Sequence, residues 1–274
     1  MSESKKNLTR EEKLQRDLER IGQLRLIDDD FMTIFFDGDT VRTEFILRII
    51  LSKPDLKVIK VVGQKVIKNL RGRSVRLDVF ARDSAGSPYD IEIQRASEGA
   101  KPKRARLNSA LMDADETVAG DKSDNLPDSY VIFITEHDLY KQGLPLYVVE
   151  RHINGAELFN DDSHIVYVNG EYRGNDAIGD LMHDFSCTDS REMRNEILAE
   201  KVSMLKGSEE ERMGVLDELR EEYREEGWQQ GQIDMATRLI TLGEMSEEKV
   251  QSIFQFDKRQ MNMIRSRVGQ NINS

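Results

Sequence analysis

The pattern of apolar and polar positions changes period several times along the chain, and each change marks an element. Thr9-Arg-Glu-Glu12 lets a hydroxyl and a carboxylate satisfy each other's exposed backbone donors, which predicts a helix over 10–21. A second helix is predicted from Thr40 to Leu51, dense in large apolar residues and stopped at Ser52-Lys53-Pro54, because proline disfavours helix in the residue before it. The period then falls to two. Strands are predicted near 56–67, 74–82 and 89–95, the last two joined by a turn at Ser84-Ala-Gly-Ser87. A helix over 102–118 follows. The apolar run Tyr130–Thr135 reads as a buried strand, with further strands at Leu146–Val149 and His164–Val168. The order α-β-β-β-α-β, with later additions, predicts an α/β fold.

Beyond Cys187 the β-formers thin out and Glu and Arg interleave from Glu209 to Glu226, the signature of long charged helices. Three segments are therefore expected: an N-terminal helical arm over 1–24, an α/β domain over 25–187 and a charged helical tail over 188–274. Gly227 and Gly231 are spaced for one helix face, where they serve close helix packing or a hinge. The stretch from Ser246 to Val268 reads as two short helices separated near Phe256-Asp257, either a packing cap or a small helix-turn-helix. Self-association through this tail is an expected mode of partnership.

The hairpin RLDVFARDSAGSPYDIEIQR, Arg76 to Arg95, places chemistry on its polar face. Side chains alternate along a strand, so Val75, Leu77 and Val79 point one way and Arg76, Asp78 and Phe80 the other. Across the turn Ile91 and Ile93 form the apolar face, and Asp90, Glu92 and Gln94 share the opposite one. A turn centred on Ala85 sets Asp78 opposite Glu92, and one centred on Gly86 sets it opposite Gln94. Both registers leave Asp78 and Glu92 on one face, about 5 Å apart if directly opposed and about 7–8 Å if diagonal. Like charges so close need compensation, and a hard divalent cation supplies it. The plainer alternative is a solvated hairpin whose acids keep it soluble.

The α-β-β-β-α-β order with Asp78 and Glu92-Ile-Gln94 resembles the PD-(D/E)XK nuclease superfamily. DDDFMTIFF from Asp28, LDVFARDSAGSPYDIEIQR from Leu77, SYVIFITEHD from Ser129 and GLPLYVVER from Gly143 resemble more closely its family of transposases, the recombination-promoting nucleases, over roughly residues 25–187. The resemblance implies a restriction-endonuclease-like core of a mixed sheet flanked by helices, and metal-dependent DNA cleavage. It further implies that Asp78, Glu92 and the carbonyl of Ile93 hold the catalytic metal, with Mg²⁺ first and Mn²⁺ or Ca²⁺ as alternatives. Gln94 stands at the motif's usual lysine position, and it can place water or substrate only through neutral hydrogen bonds. Glu44, on the helix before the strands, is the expected earlier acidic member, and its alternative is a surface pair with Arg48. Asp90 is read as a supporting or solvent-facing residue rather than a ligand. A catalytically weak DNA-binding or regulatory derivative of such a nuclease is the second reading.

Charge refines this picture. The net charge of −11 argues against a generally basic nucleic-acid coat, but Lys57, Lys60, Lys65, Lys68, Arg71, Arg73 and Arg76 form a run with no acidic residue among them. Arg95, Lys101, Lys103, Arg104 and Arg106 follow the hairpin, and Arg95, Arg104 and Arg106 are the expected contacts to DNA phosphates.

The four histidines, His137, His152, His164 and His183, lack metal-ligand spacing, and there is no phosphate-cradling glycine loop or nucleophile elbow. With a single cysteine, no apolar run of the roughly 18 residues a membrane span needs, and no apolar signal core in MSESKKNLTREEK, the expected setting is soluble and cytoplasmic, without a membrane partner.

Overall fold

The computed structural model describes residues 9–67, 75–96, 99–118, 120 and 122–272. Lys68, Arg71 and Arg73 of the basic run lie outside them. By contacts the chain divides into two compact units, Met1–Lys65 with Arg76–Leu216, and Val66–Val75 with Asp217–Ser274.

The first unit is α/β and is organised by a mixed six-stranded sheet. In chain order its strands are β1 (Val58–Ile67), β2 (Val75–Asp83), β3 (Pro88–Gln94), β4 (Ser129–Thr135), β5 (Leu146–Val149) and, after the two-residue strands β6 (His152–Ile153) and β7 (Glu157–Leu158), β8 (Ser163–Asn169). The sheet order is β1-β2-β3-β4-β8-β5, and β6 and β7 pair separately. β3, β4 and β8 run parallel, while β2 and β5 are antiparallel to their neighbours β3 and β8. β4, the run SYVIFIT, lies between two parallel strands and is buried along its whole length, which is why it reads as continuous apolar sequence.

Helices α1 (Arg10–Gly22), α2 (Asp29–Phe36) and α3 (Thr40–Leu51) precede the sheet, α4 (Pro102–Glu116) joins β3 to β4, and α5 (Ala177–Ser186) and α6 (Glu196–Lys206) follow it. The capping box at Thr9 forms as its residues dictate, with Thr9 Oγ1 accepting from Glu12 N and Glu12 Oε2 accepting from Thr9 N. The helix it starts is no loose arm, since Leu18 and Ile21 are buried. The expected boundary at 188 also falls inside the first unit. Leu198 and Val202 of α6 are buried, Lys201 pairs with Asp39 at 2.9 Å, and Arg42 donates to the Ile197 carbonyl. Sequence pattern alone makes α6 look like the start of the charged tail, because these ties to α3 are not local.

The second unit is helical. It holds most of α7 (Glu209–Thr241), α8 (Glu247–Phe254) and α9 (Lys258–Ile272), with a small core of Ile233, Ala236, Val250, Phe256, Met261 and Ile264. α7 runs without a break through Gly227 and Gly231, and a Cβ at either would meet nothing within 4 Å among the described residues. The close packing those glycines would permit is therefore not realised among the described residues. No described helix is long and apolar enough to cross a membrane.

Candidate metal and phosphodiester site

The turn between β2 and β3 decides the hairpin's register. Asp83 Oδ1 accepts from the backbone N–H groups of Ala85 and Ser87, both at 2.9 Å, its Oδ2 accepts from the Tyr89 hydroxyl, and Gly86 takes a φ of 95° that suits glycine. The backbone of Asp83 bonds that of Ser87, and the ladder continues as Arg82 with Pro88, Ala81 with Tyr89, Phe80 with Asp90 and Val79 with Ile91. This is the turn centred on Ala85. Continued by one residue, it sets Asp78 opposite Glu92.

The polar face is not solvated. Asp90 and Glu92 are fully buried, and α4 covers them with two side chains four residues apart, Arg104 and Asn108. Asn108 Nδ2 donates to Asp90 Oδ2 at 2.8 Å and to Glu92 Oε1 at 3.3 Å, and the guanidinium of Arg104 donates to Glu92 Oε2. Asp78 is half-buried and accepts from the N–H of Ile93 at 3.2 Å. Successive residues of a strand project their backbone groups to opposite edges. The Gln94 carbonyl bonds Glu136 beyond β4, so the Ile93 carbonyl points the other way, toward Asp78.

Burial pushes the three carboxyls up, Asp78 to about 6 and Asp90 to about 7, and Glu92 furthest of all, since Asp90 and Asp78 add their charges to the cost of burial against the pull of Arg104. Three acids thus face the guanidinium of Arg104, with Arg76 acting more weakly on Asp78. Asp90 Oδ1, shielded from solvent, has no hydrogen-bond partner among the described residues. An all-oxygen donor set with a charge deficit and an orphaned carboxylate oxygen suits a hard divalent cation.

Two neighbours complete the site. Gln94 lies half-buried with Nε2 3.5 Å from Glu92 Oε2, and its Oε1 lies where a Cβ on Gly99 would come within 1.6 Å. Asp29, at the start of α2, is held above the usual carboxylate range by burial, and its charge acts on Asp78.

The other expected site residues are placed elsewhere. Glu44 accepts from the Val58 N–H at 2.9 Å and pairs with Arg48 at 2.7 Å, so its described partners anchor β1 to α3 and none belongs to the acidic cluster. Arg95 joins Arg25, Asp28 and Glu136 in an ion network, with contacts of 3.2 Å to Asp28 and 3.0 Å to Glu136. Arg106 and Lys103 are exposed on α4, and Lys101 is exposed at its N-cap.

Asn108, Asp29 and the buried role of Asp90 escape sequence reasoning. The available signals were the acidic triplet at Asp28, which starts a helix, and the four-residue spacing of Arg104 and Asn108 directly after the hairpin.

A second cluster brings donor atoms of His183, Asp184 and Cys187 within 4.8 Å of one another. The Asp184 carboxylate already accepts from the N–H groups of Arg194 and Asn195 and from the Asn195 amide, so it anchors the chain after α5. Comparison with known proteins gives no match to any family model, any curated protein or any solved structure.

Proposed function

We propose that this chain is a divalent-metal-dependent endonuclease that hydrolyses phosphodiester bonds in DNA, built on a PD-(D/E)XK-type core and acting in DNA recombination. The observation that carries the reading is the fully buried pair Asp90 and Glu92 beside Asp78, three acids with the guanidinium of Arg104 against them. Asp78, Glu92 and the carbonyl of Ile93 would hold the ion, with Mg²⁺ first and Mn²⁺ or Ca²⁺ as alternatives. A bound ion supplies Lewis acidity toward the phosphodiester and lowers the pKa of water.

The chain's own groups do the rest. Asn108 fixes the rotamers of Asp90 and Glu92 by donating to both. Gln94, held between Glu92 and Gly99, offers an amide that orients water or a phosphate oxygen without taking up a proton. Arg104 lies half-exposed at the site's edge, where its remaining donors can meet a phosphate, and exposed Lys101, Lys103 and Arg106 extend positive charge along the same helix.

Two features favour a second reading, a nuclease-derived DNA-binding or regulatory module with little activity. Gln94 replaces a lysine, and Arg104 already occupies one oxygen of Glu92. Incubation of supercoiled plasmid with Mg²⁺, Mn²⁺ or Ca²⁺ separates the readings. Nicking or linearisation that disappears in Asp78→Ala and Glu92→Ala supports the nuclease. Equal cleavage in all three proteins rejects the site, and DNA binding without cleavage under every metal favours the second reading.

A further inference from the structure

A cavity of about 520 Å³ lies in the first unit, between the end of α1, the turn at 188–191, the C-terminal half of α6 and the start of α7. It is large enough for a small ligand. Its wall carries three cations, Arg191, Lys206 and Arg212, and one acid, Asp189. Thr188, Ser190 and Ser203 add hydroxyls.

The cations differ in how they are held. Arg191 is bound to Asp189, whose carboxylate also accepts the Arg191 backbone N–H, so that pair is neutral. Lys206, buried, gives its three protons to the carbonyls of Gly22, Leu24 and Thr188, and none of these carries a formal charge. The Arg212 side chain has neither a hydrogen bond nor an ion pair among the described residues, and its Nε is shielded from solvent without a partner. A buried guanidinium donor left open costs free energy unless something fills it. The cavity is therefore electropositive within a chain of net charge −11, and it presents an unpaired planar donor group matched to oxyanions.

We propose that this cavity binds a phosphate group, with the Arg212 guanidinium as its principal contact and Lys206 as the fixed charge behind it. The group can belong to a free phosphate or diphosphate or to the end of a nucleic-acid strand. The site does not draw on the carboxylate cluster and stands or falls apart from it.

The test uses the full chain in a phosphate-free buffer. Inorganic phosphate, pyrophosphate, and a short oligonucleotide with or without a 5′-phosphate are titrated calorimetrically into the wild type and into Arg212→Met, which keeps the aliphatic stem. Binding of phosphate or pyrophosphate, weakened about tenfold or more by Arg212→Met, supports a free anion as the ligand. Binding only of the 5′-phosphorylated oligonucleotide, with the same dependence on Arg212, supports a strand end. Absence of heat with every phosphate probe up to on the order of 10 mM, or affinities equal in wild type and Arg212→Met, overturns the proposal. Arg212→Met removes no described contact and an open buried donor, so its unliganded melting temperature should not fall below the wild-type value.

Discussion

The guanidinium of Arg104 rests against Glu92, a half-exposed cation facing a fully buried carboxyl whose neighbours Asp78 and Asp90 carry the cluster's charge at pH 8. Removing the cation leaves the buried charge uncompensated, and breaking such a pair costs far more than forming it gains. Arg104→Met is expected to destabilise the metal-free protein by about 2 kcal/mol at pH 8, a figure discounted for the exposure of Arg104. At pH 5 the loss should shrink, because Asp78 and Asp90, whose charges Arg104 also offsets, are then protonated as Glu92 already is. Urea unfolding at the two pH values measures both.

The acidic cluster also sets how stability varies with pH. Asp78 at about 6 and Asp90 at about 7 lie above the ordinary carboxylate value of 3.8, so the folded state binds more protons than the unfolded state between pH 4 and 7. Stability must then fall as pH rises through that window. Asp90→Asn should flatten the slope, and Mn²⁺ should restore stability at pH 8 more than at pH 5. A metal-free unfolding midpoint that rises from pH 5 to pH 8 would contradict this description of the cluster.

Gly99 leaves room for the Gln94 amide, and a methyl group there would displace it. The Gln94 amide is the flexible end of a side chain, so Gly99→Ala should fold normally while moving Gln94. Under the proposed chemistry Gly99→Ala and Gln94→Ala lower plasmid cleavage to similar extents, and the double variant is no worse than either. Additive losses would separate Gly99 from Gln94.

In α7 nothing within the chain's described residues requires glycine at 227 or 231. Alanine at each should stabilise the helical unit by about 0.5–1 kcal/mol, read by thermal unfolding. If the tail self-associates through this face, alanine should instead reduce the oligomer in sedimentation. Exposed Trp228 and Met235, seven residues apart on the same helix, give that alternative a surface.

What the sequence made legible is what local chemistry decides. The capping box at Thr9 and the hairpin turn need only neighbours within four residues, and β4 announces its burial by unbroken apolar composition. The shared face of Asp78 and Glu92 follows from alternation alone. The choice between registers does not, because it turns on the three bonds that Asp83 makes within the folded turn.

Whether Asp90 faced solvent was likewise undecidable without α4, whose Asn108 lies 18 residues away in sequence. Glu44 shows the converse. Its helical position beside apolar residues suggested a site member, while the structure commits both its oxygens to Arg48 and the N–H of Val58.

Whether the buried carboxylates form a divalent-cation site is read by calorimetric titration of Mn²⁺ at pH 8 into the wild type, Asp78→Asn and Glu92→Gln. Binding to the wild type should be saturable and should weaken at least about tenfold in each variant, with thermal unfolding confirming that both remain folded. Equal Mn²⁺ affinity in all three proteins, or no binding to the wild type, would contradict such a site.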